Sequence, residues 1–197
     1  ETHQGIFTNS FLGHIPGLTV MEPSDGEELK QMLAYAFQMK KPCAVCYPRG
    51  HVPSDTDQQH TEIAEGHAEI ICEHGTDCVI LALGSMVEIA RKTGIILAEK
   101  GVQASIVNMR FVSPPDIATI VRYGRNSKLI VTMEENIRRG GFGALVSDIL
   151  YEHCENRPEH LIVGLPDRFL EQGTIEELRA ENAMDAVSVA ERIMNKL

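Results

Sequence analysis

Residues 78–101 read CVILALGSMVEIARKTGIILAEKG. The first six form an unbroken apolar run, as expected of a parallel strand buried on both faces. Gly84 turns the chain, and Ser85 with Glu88 stands at the spacing of a capping box. A helix is then predicted to Lys100, stopped by Gly101. Strand, tight turn and returning helix make up the unit of layered α/β proteins, and the unit recurs on both sides. Upstream, residues 18–21 predict a strand ended by Pro23. Ser24 and Glu27 predict another capping box, and Leu29, Met32, Leu33, Ala36 and Phe37 fall at helical spacing up to about Met39. Lys40 and Lys41 suit the negative end of that helix. Residues 43–47 read as a buried-type strand, stopped by Pro48 and turned by Gly50. Downstream, strands are predicted over 68–72, 104–109, 129–133 and 161–164. Helices are predicted after Ser113-Pro114-Pro115-Asp116, with Pro in the first turn, over 144–154 after the glycine-rich Gly140-Gly141-Phe142-Gly143, from Thr174 with Glu177, and over 185–195. The alternation implies an α/β fold with a mainly parallel sheet.

Residues 51–66 (HVPSDTDQQHTEIAEG) are polar and carry Pro and Gly, the composition of a linker. The chain therefore divides into residues 1–50, the linker, and residues 67–197. The first piece offers two strands and one helix. A parallel strand such as 43–47 needs neighbours on both edges and cover on both faces, and fifty residues do not supply them. This piece is expected to be the end of a larger domain or to be completed by another chain. The opening Glu1, in place of Met, fits a processed or truncated piece of a longer polypeptide. Residues 67–197 hold enough elements to close their own core.

Composition narrows the function. Of 197 residues, 18 are Lys or Arg and 28 are Asp or Glu, a formal charge of −10. That balance speaks against a nucleic-acid backbone binder and against polybasic membrane attachment. No apolar run approaches the roughly 20 residues of a bilayer span, and residues 1–11 lack the basic-then-apolar pattern of a signal peptide. Five Cys without scaffold-like spacing read as reduced thiols, and a cytoplasmic location is expected. Cys43 and Cys46 form a C-x-x-C, but positions three apart in a strand face opposite sides, so buried structural thiols are expected. His51, His60, His67 and His74 read as solvated.

The chemistry concentrates at a few residues. Arg49 follows directly on a parallel strand, where open α/β sheets bind ligands, and its guanidinium can grip a phosphate bidentately. The plainer alternative is an ion pair with an acidic neighbour on the surface. His3 has an imidazole able to pass a proton to or from a developing alkoxide, or it is simply a frayed terminal residue. Gln4 and Thr2 could assist by hydrogen bonding. The Arg138–Gly143 stretch fits neither a dinucleotide fingerprint nor a P-loop, so a tight strand-to-helix turn is expected. Glu134 and Glu135 point apart in a strand. Solvation or pairing with Arg138 or Arg139 is expected of them.

Thr2-His3-Gln4-Gly5, Phe7, Phe11-Leu12 and Ile15-Pro16-Gly17-Leu18-Thr19-Val20-Met21, with Pro23-Ser24-Asp25 and Glu28-Leu29, resemble the late pyrimidine-domain segment of transketolase-like thiamine-diphosphate enzymes. Tyr47-Pro48-Arg49-Gly50 narrows the likeness to the 1-deoxy-D-xylulose-5-phosphate synthase family. Asn108-Met109-Arg110-Phe111-Val112, Pro115, Glu134-Glu135-Asn136, Gly140-Gly141-Phe142-Gly143, Gly164-Leu165-Pro166-Asp167 and Gln172-Gly173-Thr174 follow in the family's order. Two positions depart. Thr8 stands where the family usually has an acidic residue, and Asn9 where it often has Leu.

The resemblance implies the incomplete end of a pyrimidine-binding α/β domain over 1–50, then a transketolase C-terminal-type three-layer α/β/α domain over 67–197. It implies a magnesium- and thiamine-diphosphate-dependent transferase of isoprenoid precursor biosynthesis. Such an enzyme decarboxylates pyruvate and joins the two-carbon unit to glyceraldehyde 3-phosphate. It further implies a homodimer completed by amino-terminal domains of the same protein, without nucleic-acid or membrane partners. Arg49 would hold the acceptor phosphate, Gln4 would contact substrate, and His3 would face the reacting groups. No Gly-Asp-Gly metal motif or cofactor-activating glutamate segment is found in this sequence. The chain alone is therefore expected to be inactive and to bind neither thiamine diphosphate nor Mg2+. Two other readings stay open: a non-catalytic docking or dimerisation module, and a beta-type subunit of a split transketolase or 2-oxo-acid dehydrogenase.

Overall fold

The computed structural model describes residues 4–50 and 59–197. Two sheets organise them. The larger has five strands, β3 (Glu69–Cys72), β4 (Cys78–Ala82), β5 (Ala104–Asn108), β7 (Leu129–Ile137) and β8 (Glu159–Leu165), in the order β3-β5-β4-β7-β8. All neighbours are parallel except β3, which runs antiparallel to β5. The predicted central strand is β4. All five of its residues are buried, because helices cover both faces of the sheet.

The faces separate by alternation along β4. Cys78, Ile80 and Ala82 join the cluster under α3 (Met86–Glu99) and α7 (Ala186–Met194), with Val131, Met133, Leu97, Val189 and Ile193. Val79 and Leu81 join the opposite cluster, with Ile120, Tyr123, Val146 and Leu150, under α4 (Ile117–Asn126) and α5 (Phe142–His153). This is the expected three-layer α/β/α arrangement.

The smaller sheet has three strands, in the order β2-β1-β6. β1 (Thr19–Met21) and β2 (Cys43–Val45) are parallel, and α2 (Gly26–Gln38) connects them. β6 (Phe111–Ser113), which no sequence pattern announced, leaves the larger sheet's neighbourhood and pairs antiparallel with β1. The downstream region thus supplies one of the neighbours that the first fifty residues lack. β2 remains an edge strand and is only half-buried. A short α1 (Thr8–Leu12), also unannounced, docks on β7: the Asn9 amide donates to Asn136 Oδ1 at 3.1 Å. α6 (Ile175–Glu181) completes the set.

Several caps differ from their sequence signals. Thr174 and Glu177 form the predicted capping box. At α2 the cap is Asp25, which accepts from the Glu27 and Glu28 amides, and Ser24 bonds Glu28 instead. Ser85 makes no capping bond; its hydroxyl donates to Glu135 at 2.6 Å. Asp116 caps α4, so Pro114 and Pro115 precede that helix instead of opening its first turn. No described helix is long and apolar enough to cross a membrane.

Candidate functional site

The carboxyl ends of β1, β2 and β4 open on one cleft of about 620 Å³, lined from both sheets. Its walls include Glu22 just after β1, Tyr47 and Arg49 after β2, Ser85 after β4, Glu135 on β7 and Arg179 on α6. Arg49 is exposed at this cleft. Among the described residues no carboxylate pairs with it.

Gln4 lies beside the cleft and is held by two hydrogen bonds. Its Nε2 donates to the Leu170 carbonyl at 2.7 Å, and its Oε1 accepts from the Leu170 amide at 3.1 Å. Gly5 and Leu170 both line the cleft, so this pairing fixes the start of the described chain at the cleft wall. His3 and Thr2 fall outside the described residues.

Sequence reasoning missed Glu22. It enters the cleft wall as the chain leaves β1, next to Gly84, where a Cβ would meet Glu22 Oε2 at 3.2 Å. Gly84 has φ +54, a conformation that suits glycine and lets the turn come this close. Desolvation pushes the Glu22 carboxyl up to about 7; a hydrogen bond from Asn9 opposes the rise and the field of Glu135 adds to it. Glu22 is therefore poised to hold or release a proton near neutral pH. Desolvation and the charge of Glu22 together push the Cys46 thiol up to about 11, so it stays protonated there. The one signal that could have found Glu22 was a lone Glu between an apolar strand and Pro23.

The adjacent glutamates diverge as expected, but their partners differ from those expected. Glu134 is fully buried and accepts from the Phe142 and Gly143 amides, both at 2.8 Å. The free amides at the start of α5 are therefore satisfied by the chain's own Glu134 side chain. Desolvation pushes Glu134 up to about 8, against those two bonds and with the field of Glu22. The glycines of this turn are required sterically: a Cβ on Gly141 would sit 2.5 Å from Glu134 Oε2, and one on Gly143 2.6 Å from Ile162 Cγ2. Glu135 faces the other way, into the cleft. It takes the Arg179 Nε at 2.9 Å and the Ser85 hydroxyl at 2.6 Å, while Arg179 also donates to Ser85 at 3.0 Å. This closed triangle ties α6 to the cleft wall.

A second polar cluster lies at the seam between the sheets. Glu28 is wholly buried on α2, and Arg110, 1% exposed, donates to it from Nε at 2.6 Å. The guanidinium also reaches Glu69 at 3.1 Å and the Thr61 carbonyl at 3.1 Å. His60 bridges Asp25 at 2.8 Å and Glu69 at 2.7 Å. The solvated state expected of His60 is thus wrong: its ring is buried because the polar stretch after residue 58 runs back between two acidic groups. Glu28, His60 and Glu69 offer three potential metal-ligand atoms within 4.8 Å of one another. Arg110 is already seated against two of them, and a cation there would meet a guanidinium. The cluster fits an ion-pair network and does not fit a divalent metal. The cysteines are free, two of them buried and Cys43, Cys46 and Cys72 half-buried.

Comparison with known proteins agrees with this architecture. Residues 66–189 match the family described as Transketolase, C-terminal domain, and residues 1–54 match Transketolase, pyrimidine binding domain. The 1-deoxy-D-xylulose-5-phosphate synthase 1 of Geobacter sulfurreducens is 41% identical over 192 residues, covering 96% of this chain and 30% of the relative. The corresponding synthase of Chlorobium luteolum is 41% identical over 194 residues, covering 98% of this chain and 30% of that protein. Among solved structures, a "Split gene transketolase, inactive beta4 tetramer" superposes with a TM-score of 0.83 at 25% identity, covering 99% of this chain and 62% of that one. The chain thus spans about 30% of the length of the curated relatives it matches.

Proposed function

The chain belongs to the transketolase family, and on that premise we propose that it is the acceptor-side portion of a 1-deoxy-D-xylulose-5-phosphate synthase. The whole enzyme would decarboxylate pyruvate and join the remaining two carbons to glyceraldehyde 3-phosphate. In enzymes of this type thiamine diphosphate with Mg2+ supplies the carbanion chemistry. The Glu28, His60 and Glu69 cluster, with Arg110 seated against it, does not suit a divalent metal, and we assign that site to polypeptide outside the chain, in the same protein or in a homodimeric partner.

The role left to this chain is binding and proton management. Arg49 is the observation that carries the reading. It is a cation without a carboxylate partner among the described residues, at the mouth of a cleft formed by the carboxyl ends of three strands. It would hold the phosphate of the aldehyde acceptor bidentately. Gln4, clamped to Leu170, would orient the segment that carries His3, and His3 would exchange a proton with the reacting oxygen. Glu22 shares the cleft, and its carboxyl near 7 gives a second group able to hold a proton there.

The test is Arg49→Ala in the complete enzyme. The KM for glyceraldehyde 3-phosphate should rise by about tenfold or more, as expected for a lost charge-assisted contact, while the KM for pyruvate stays near its original value. An equal rise for both substrates would remove the role assigned to Arg49.

A second reading is consistent with the split-gene structural neighbour. The chain would then act as a beta-type subunit beside a separate cofactor-domain chain. Co-expression with the adjacent gene distinguishes the two: a stable stoichiometric complex supports the subunit reading, and an in-frame upstream extension supports the synthase.

A further inference from the structure

A concavity of about 540 Å³ lies over β8, between the β7–α5 turn and α7, and shares no lining residue with the cleft that holds Arg49. Arg138, Arg139, Arg192, Asp167 and His160 line it, with Leu161 and Ile162 of β8. Three guanidinium groups thus face one carboxylate, a local excess of two positive charges on a chain whose formal charge is −10. Arg139 pairs with Asp167 at 3.0 Å. Arg192 donates to two neutral carbonyls, those of Ala183 and Ile162, both at 3.1 Å, which orient its guanidinium without neutralising it. Among the described residues neither Arg138 nor Arg192 has a carboxylate partner.

We infer that this concavity is a binding site for a small ligand bearing a phosphate or diphosphate group, gripped between Arg138 and Arg192. The geometry supports an anion in particular. Two like charges held over one hollow repel each other, and an anion between them reverses the sign of that interaction. Arg192 is anchored by its carbonyls while Arg138 is exposed, so one arm is preset and the other is free to close on the ligand. Planar guanidinium forks match phosphate oxygens bidentately. The volume suits a small phosphorylated molecule. The strain appears in Arg192, whose pKa is lowered first by desolvation and then by the charge of Arg138. His160 adds no positive charge near neutral pH. Both its ring nitrogens are engaged, with Ser147 at 2.9 Å and Thr132 at 3.0 Å, and desolvation pulls it down to about 4.

The probe is pyrophosphate, titrated calorimetrically into the 197-residue chain at low ionic strength, with inorganic phosphate in parallel. Saturable pyrophosphate binding is expected, tighter than that of phosphate and weakened by added salt. Arg138→Gln, at an exposed position, should weaken it about tenfold with the melting temperature unchanged, the loss of one charge-assisted contact. Arg49→Ala removes the acceptor-phosphate grip proposed above, and the titrations are read in that background so that only this second site reports. Absence of saturable binding overturns the inference. So does binding that Arg138→Gln leaves intact or that Arg49→Ala abolishes. Arg192→Gln serves as a second variant: weaker binding by a chain that still melts cooperatively supports the site, and undiminished binding overturns it.

Discussion

α2 and α3 have similar lengths and both follow a strand, yet they bury opposite things. α3 buries Met86, Val87, Ile89, Ala90, Thr93 and Leu97, packed on the five-stranded sheet. α2 buries only Met32 and the carboxylate of Glu28, and leaves Phe37 91% exposed. Apolar periodicity is present in both. The difference is what lies opposite. α3 meets a sheet covered on both faces, whereas α2 lies on a three-stranded sheet whose β2 edge is open. In the first region burial removes apolar surface from water. In the second, stability rests on an ion-pair network that fixes the seam between the sheets. The region with the poorer core is also the one that brings Arg49 to the cleft.

The contrast can be broken most severely at the seam. Arg110→Gln removes the cation from a buried network and leaves Glu28 and Glu69 facing each other without it. A loss of about 3–5 kcal/mol is expected, measured by denaturant unfolding. A loss below 1 kcal/mol would show that the network is not what holds α2. In the larger sheet, Ile80→Ala opens a cavity in the buried face of β4 and should cost about 2–5 kcal/mol; a smaller loss would mean that this core collapses easily.

Two histidines sharpen the contrast through pH. Burial works to lower the His60 pKa, but the bonds to Glu69 and Asp25 and the field of Glu28 outweigh it and the net shift is upward. The folded chain therefore holds a proton that the unfolded chain releases near 6.5. The stability from His60 is complete below that pH and is lost as pH rises through its raised value. His160 is pulled down to about 4 by desolvation, so its contribution is present above 6.5 and is lost as pH falls towards 4. Unfolding free energy measured across pH 4–9 should lose its alkaline-side slope in His60→Gln and its acid-side slope in His160→Gln. Unchanged slopes would refute the assignment. Glu22 and Glu134, raised to about 7 and about 8, also drain stability as pH rises, so the His60 slope is read in a background that carries both Glu22→Gln and Glu134→Gln. The smallest effect belongs to Phe37→Ala, within about 0.5 kcal/mol, because its ring packs against almost nothing in this chain. A loss above 1 kcal/mol would mean that α2 has a hidden apolar partner.

Much of this was legible in the chain. The 78–83 run and its alternating sides gave the central strand and both layers, since a strand buried on two faces leaves no polar position. The Thr174–Glu177 cap was legible because all of its partners are local. Ser85 was misread because a hydroxyl at a helix start satisfies the capping pattern, while Glu135 and Arg179, 50 and 94 residues away, compete for it. Arg49 could be placed at a strand end from sequence, but the opposing wall of its cleft could not. His60 looked solvated because its neighbours in sequence are polar, and its two partners come from Asp25 and Glu69.

The sequence by itself determined the α/β alternation, the buried strands and the family likeness, because these depend on periodicity and on motifs within a few residues. Only the tertiary structure decided that β6 completes the smaller sheet, that Arg110 and His60 lie buried in the seam, and that Glu22 enters the cleft beside Arg49. Those outcomes depend on which charges and edges meet across long chain separations. In a low-dielectric seam a group is stable only beside the partners that neutralise or hydrogen-bond it.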